Sequence, residues 1–207
     1  SLLTYFNEQT DHPIWFIVSF FIVFIYFYIL QYCNINWANY DDNKFEKKLL
    51  VSSFIFRIIT SIILIIVAKL TWGIPDYVGA VDALTYHKEA LIVADLFRNF
   101  DFVGGYSTAI AFTGEIDNAG PTLLLGFIFA FFGKHYIIGS FFYAAIGSFS
   151  VIYLYRIAQA IWGEDVARTS GLMFMHFPLA LFYSVVFLKE GIVVFLSLFI
   201  VYVVTKA

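Results

Sequence analysis

Hydrophobic runs of membrane-spanning length constrain this chain more than any other feature. Residues 13–33, 49–70, 136–157, 167–188 and 191–205 are almost free of charge. A helix needs about 20 apolar residues to cross the hydrocarbon core of a bilayer. The wider composition agrees: 61% of the 207 residues are hydrophobic and 13% are charged, against about 25% charged in a typical soluble domain. Mean hydropathy is +0.84. Trp15 and Tyr32 flank the first run, where aromatic side chains suit the two bilayer interfaces. The expected fold is an all-α polytopic transmembrane helical bundle in one domain.

Two stretches break the pattern. Residues 120–133 are apolar but too short for a comfortable crossing, which predicts a half-helix or re-entrant segment. Residues 71–119 form the longest polar interval and predict a loop that carries membrane-surface amphipathic helices. Within it, Val81 to Asn99 reads as one helix, with Ala83, Tyr86, Ala90, Val93, Phe97 and Phe100 on its apolar face. Gly104-Gly105 is the expected break after that helix. Ser140, Ala144 and Ser148 give the 136–157 run a small-residue stripe for close helix packing.

Charge orients the arrangement. If 120–133 does not cross, Lys44, Lys47, Lys48, Arg57, Arg156, Arg168 and Lys206 share one side. Glu8, Asp11, Asp76, Asp82, Glu89, Asp95, Asp101, Glu115, Asp117 and Glu190 share the other. The positive-inside rule makes the basic side cytoplasmic and the 71–119 loop extracytoplasmic. Arg57, near the start of its run, is expected to snorkel toward the basic loop. A net charge of −3 gives no field for nucleic-acid binding. One cysteine, Cys33, excludes an intramolecular disulfide. No basic n-region or Ala-x-Ala site marks a cleaved signal peptide. The ends, Ser-Leu-Leu and Lys206-Ala207, read as those of a piece of a longer protein.

The polar interval also holds the candidate chemistry. Asp82, Tyr86 and Glu89 fall at i, i+4 and i+7, on one stripe of the helix. Either carboxylate could act as a general base at the membrane surface, where nearby hydrocarbon raises a carboxyl pKa. The competing reading is a solvated helix face with Asp82 as N-cap. His87 could meet a phosphate or a sugar hydroxyl, or could simply be an interfacial histidine. Lys189-Glu190 could neutralise a lipid phosphate and complete the acidic site, or could be a snorkelling lysine and a helix-start acid. The histidines stand singly, without zinc-ligand spacing. Glu115 and Asp117 suit a divalent cation, the one cofactor candidate, though the spacing is common in acidic loops. Phosphate-loop, dinucleotide and nucleophile-elbow motifs are absent.

The order of these pieces resembles the GT-C type of integral-membrane glycosyltransferases, including the family related to protein O-mannosyltransferases. Asp82-Ala83-Leu84-Thr85-Tyr86-His87 looks like the acidic motif of that family's first long loop. The segment Gly120-Pro121-Thr122-Leu123-Leu124 through Phe131-Phe132-Gly133 is similar to its next element. Tyr153-Leu154-Tyr155-Arg156 through Trp162-Gly163, then Ala167, and finally Pro178, Ser184, Lys189 and Glu190, continue the pattern. Two positions depart: the family often pairs acids where Asp82-Ala83 stands, and commonly has Asp where Lys189-Glu190 stands. The resemblance covers about residues 49–204 and implies an N-terminal module of a longer enzyme.

That enzyme would move a sugar from a polyprenyl-phosphate-linked donor to a glycan, lipid or protein acceptor at the outer face of a bacterial inner membrane. The resemblance makes Asp82 the base or acceptor-orienting acid, with Glu190 assisting. Lys189, joined by His87, would bind the phosphate, and Tyr86 and Glu89 would complete the substrate site. A non-enzymatic subunit of a membrane complex is the rival expectation, its surface helix docking a partner. A transporter or flippase-like protein is disfavoured by too few spans and intramembrane charges.

Overall fold

The computed structural model describes residues 13–74, 81–114 and 118–206, and the described residues contain helices and no strand. In chain order these are α1 (Pro13–Trp37), α2 (Asp42–Trp72), α3 (Val81–Arg98), α4 (Phe102–Thr113) and α5 (Ala119–Phe132). They are followed by α6 (Tyr136–Trp162), α7 (Glu164–His176), α8 (Pro178–Tyr183) and α9 (Lys189–Lys206). Two of them, α2 and α6, are long and apolar enough to cross a membrane.

Helix α6 is the axis of the molecule. It packs on α2, α5, α7 and α9. The predicted stripe of Ser140, Ala144 and Ser148 is fully buried, and Ser140 and Ser148 turn their hydroxyls back to carbonyls four residues earlier. That geometry satisfies polar atoms within the helix and leaves a smooth surface for close packing. Outside this core, α2 and α9 present apolar side chains outward, among them Ile55, Ile59, Ile66, Phe199 and Ile200.

The buried apolar side chains form two larger cores, and a small third one at Val93, Ala109 and Ala119. One core gathers Trp37, Phe45, Leu49, Val151, Tyr155, Ala167 and Leu172 from α1, α2, α6 and α7. Arg156 and Arg168 lie beside it. Arg168 donates to the carbonyls of Trp37, Ala38 and Tyr40 and pairs with Asp42 and Glu164, so it caps the C-terminus of α1. Arg156 pairs with Glu46 and donates to Tyr202. The other core gathers Ala83, Tyr86, Ala90, Leu125, Phe129, Tyr136, Tyr143 and the run Val185–Leu188. Acidic Asp82 and Glu89 lie on α3 beside this second core.

Three local expectations are corrected. The break after α3 comes at Phe100, not at Gly104-Gly105. Phe100 takes a positive φ of 59°, and the Asp101 carboxylate accepts from the Gly104 amide at 2.8 Å, starting a new helix. Gly104 and Gly105 lie inside α4, where a Cβ would collide with the Asp101 carboxylate and the Phe97 ring. Phe100 is accordingly exposed rather than on the buried face of α3. The apolar run 167–188 is not one helix. Pro178 starts α8, and the backbone from Ser184 to Leu188 is not helical. Arg57 does not snorkel. It sits at the midpoint of α2 and is 1% exposed.

The α2–α7 contact is tight enough to test. A Cβ at Gly171 would lie 2.8 Å from Leu49 Cδ2, so Gly171→Val should force the helices apart. We expect destabilisation of about 1–3 kcal/mol, seen as a lower Tm of the purified protein. Val166→Ala, an exposed change on the same helix, should move Tm little.

Candidate functional site

The sequence builds α3 so that one face is small and apolar and the adjacent stripe is polar. Ala83, Ala90, Val93 and Ala94 are buried against α5. Gly126 of α5 makes that contact close, since a Cβ there would lie 2.6 Å from Val93 Cγ1. The polar stripe is thereby held at the edge of the helix pair, where it lines an open cleft of about 290 Å³. Asp82, Thr85, Tyr86 and Glu89 of α3 line it, together with Phe112 of α4, Asn118 and Lys189.

Each side chain is set by a different constraint. Asp82 occupies the first turn of α3, a residue inside the helix rather than at its N-cap, and is exposed. Glu89 lies two turns on, about 10 Å along the axis, and is 9% exposed. Its Oε2 accepts a hydrogen bond of 3.0 Å from the Thr122 hydroxyl, which is fully buried in α5. Burial pushes the Glu89 carboxyl above the ordinary carboxylate range, and the Thr122 hydrogen bond partly offsets this by favouring the anion. Lys189 is the first residue of α9, and its Nζ donates to Asn118 Oδ1 at 2.5 Å. An ammonium has three donors, and no carboxylate pairs with Lys189 among the described residues.

The cleft brings together four of the six residues singled out in the sequence: Asp82, Tyr86, Glu89 and Lys189. It does not include His87 or Glu190. His87 is 5% exposed and sits edge-on to Phe129 and Tyr136 at centroid distances of 5.6 and 5.2 Å, with Phe187 at 5.9 Å. The hundred-degree step between helix neighbours carries it from the cleft to the aromatic core. Glu190 likewise turns from the cleft wall, with Oε2 buried and the carboxylate within electrostatic reach of Tyr143.

Thr122 and Asn118 were not singled out in the sequence. A lone hydroxyl in the apolar run after Pro121 was the available signal for Thr122. Asn118 had none beyond its place beside the acidic loop. Glu115 and Asp117 lie outside the described residues; among the described residues no group of three or more metal-ligating side chains converges. The chain matches no protein-family model, no curated protein and no solved structure.

Two carboxylates and an ammonium lining one cleft suit a substrate that presents both a hydroxyl to be deprotonated and an anionic group to be held. The Glu89 environment gives a measurable consequence. Below the ordinary carboxylate range the group is protonated whether the chain is folded or unfolded. As pH rises past that range the unfolded chain ionises first, so Glu89 costs stability between its ordinary and its raised pKa, and the cost persists above. Glu89→Gln keeps the acceptor for Thr122 and removes the charge. Its Tm should exceed that of the native chain near pH 8, where the cost of the buried charge is fully present. The difference should vanish near pH 3.5. Thermal melts across this range would show it.

Proposed function

We propose that this chain is the membrane-embedded catalytic portion of a glycosyltransferase that takes a sugar from a polyprenyl-phosphate-linked donor and passes it to an acceptor at the extracytoplasmic face. The observation that carries the reading is the cleft itself, where Asp82 and Glu89 face Lys189 at one end of an apolar bundle. Lys189 holds the donor phosphate, with the N-terminal dipole of α9 adding to the attraction. Asp82, exposed at the cleft mouth, accepts the proton of the acceptor hydroxyl as that oxygen attacks the anomeric carbon. The bond to the carrier phosphate breaks, and the carrier leaves as an anion held by Lys189. Glu89, anchored by Thr122, orients the sugar hydroxyls.

The membrane arrangement belongs to the same proposal. Helices α2 and α6 span, together with α1 and α9, whose exposed apolar side chains face lipid. The basic end holding Arg156, Arg168 and Lys206 is cytoplasmic by the positive-inside rule, which places the cleft on the other side. Helix α5 dips in without crossing, at about 21 Å for 14 residues. The hydrocarbon tail of the carrier lies along the lipid-facing surface beside the cleft.

Glu190 is the residue on which this reading departs from the family resemblance. Its inward turn removes it from the reacting groups and leaves the proton chemistry to α3. A non-enzymatic membrane subunit remains the rival and would leave the cleft without transfer activity.

Asp82→Asn decides between them. The substitution preserves size and removes the base. Membranes carrying the full-length protein and supplied with radiolabelled polyprenyl-phosphate sugars should transfer sugar, and Asp82→Asn should lower the rate by about 10²–10⁴-fold at equal protein level. Equal rates would exclude Asp82 as the base. Absence of transfer by both, with every donor offered, would favour the subunit reading.

A further inference from the structure

Arg57 is a charge in a place where charge is expensive. It lies at the midpoint of α2, 1% exposed, and no carboxylate pairs with it among the described residues. Its hydrogen bonds go to neutral groups. Nε donates to Ser184 Oγ at 2.8 Å, and Nη1 donates to the Ser53 carbonyl at 3.3 Å and to the Ser53 hydroxyl. Ser184 passes the chain on, its hydroxyl donating to the Leu181 carbonyl at 2.9 Å. The space beside the guanidinium is about 20 Å³, room for one water and not for a substrate. A ligand-binding role for Arg57 is therefore excluded by size.

The position of Ser184 gives Arg57 a different role. Ser184 begins the non-helical stretch that ends at Leu188, directly before Lys189. Val185, Val186, Phe187 and Leu188 are all buried. Irregular backbone buried at membrane depth must find its hydrogen bonds within the protein. Two glycines admit the arrangement. A Cβ at Gly147 would lie 2.3 Å from Ser184 Cβ and 2.7 Å from Arg57 Nε, and a Cβ at Gly191 would lie 2.3 Å from the Tyr183 carbonyl oxygen. The start of α9 is thus pressed against the end of α8, and the only side-chain charge gripping the connection is Arg57 among the described residues.

We propose that Arg57 is a positioning residue: through Ser184 it fixes the 184–188 turn that delivers Lys189 to the cleft, and so sets the affinity of that lysine for a lipid-borne phosphate. The proposal rests on the phosphate reading of Lys189 given above. Arg57 touches no substrate. It acts by holding the fraction of molecules in which Lys189 meets the cleft, and apparent affinity falls in proportion to that fraction.

The test uses the full-length protein in phosphatidylcholine nanodiscs, with polyprenyl phosphate as the probe, so that no transfer activity is required. Arg57→Met, Lys189→Ala and the double variant are compared by binding affinity, and exchange of the 185–188 amides is followed by mass spectrometry. Ser184→Ala, which deletes one hydroxyl, replaces Arg57→Met if the latter does not fold. Arg57→Met should weaken binding about tenfold if the turn is held one-tenth of the time, and should speed exchange at 185–188. The double variant should bind no more weakly than Lys189→Ala alone, since residues acting through one another are not additive. Losses that multiply, or exchange at 185–188 unchanged in a folded Arg57→Met, would overturn the positioning role and leave the cleft reading intact. Native affinity in Lys189→Ala would overturn the phosphate reading and this proposal with it.

Discussion

The hydrogen bond between Arg57 and Ser184 is the interaction on which the rest of the fold leans. A buried guanidinium without a carboxylate costs several kcal/mol unless its donors are satisfied, and here Nε and Nη1 are satisfied by two serine hydroxyls and a carbonyl. The same bond ties the middle of α2 to the interruption between α8 and α9. Helix α6 lies against both, and its Gly147 leaves the space that the pair occupies. The two buried cores on either side of this point draw on α2 and α6 in common, so a single polar contact sits where both halves of the bundle meet.

From that junction the polar end of the molecule follows. The turn Val185–Leu188 packs its apolar side chains into the core formed by α3, α5 and α6, with Phe187 against Tyr136 at 4.3 Å and Tyr143 at 5.2 Å. His87 joins the same aromatic group from α3. The ring contacts and the Gly126–Val93 contact fix α3 in rotation as well as in position. Rotation decides which side chains line the cleft: Tyr86 packs in this core and also lines the cleft, whereas His87, its neighbour in sequence, lies in the core alone. Arg98 strengthens the α3–α5 pair from the other end by donating to the last carbonyls of α5 at Phe129 and Ala130, the arrangement expected of a cation at a helix C-terminus.

Much of the helical content was legible before any coordinate. The long apolar runs became α2 and α6, and the predicted face of α3 was correct at Ala83, Tyr86, Ala90 and Val93. Phe100 escaped because periodicity carries no information on where a helix stops. The stop came from an Asp101 cap that competes with continuation and is favoured by the glycine three residues on. Residues 167–188 read as one span interrupted at Pro178, and the further break at 184–188 was not legible because apolar content is indifferent to backbone conformation. Only the packing of Val185–Leu188 into the aromatic core, with Ser184 held by Arg57, makes the interruption stable. At the cleft, the i, i+4, i+7 spacing identified Asp82, Tyr86 and Glu89 together, whereas Thr122, 33 residues away from Glu89 in sequence, could not be assigned to it.

By itself the sequence determined helix and apolarity, since each is written in composition and in short-range periodicity. Hydrocarbon-rich runs can satisfy their backbone only as helices if they enter lipid, and that outcome needs no knowledge of neighbours. The tertiary structure decided which charges meet. Lys189 reaches Asn118 across 71 residues of sequence and Arg57 reaches Ser184 across 127. It also decided that Glu190 turns inward while Lys189, one residue earlier, turns to the cleft. The direction of a side chain at the end of a helix depends on what packs against that helix, and that is a property of the assembled bundle.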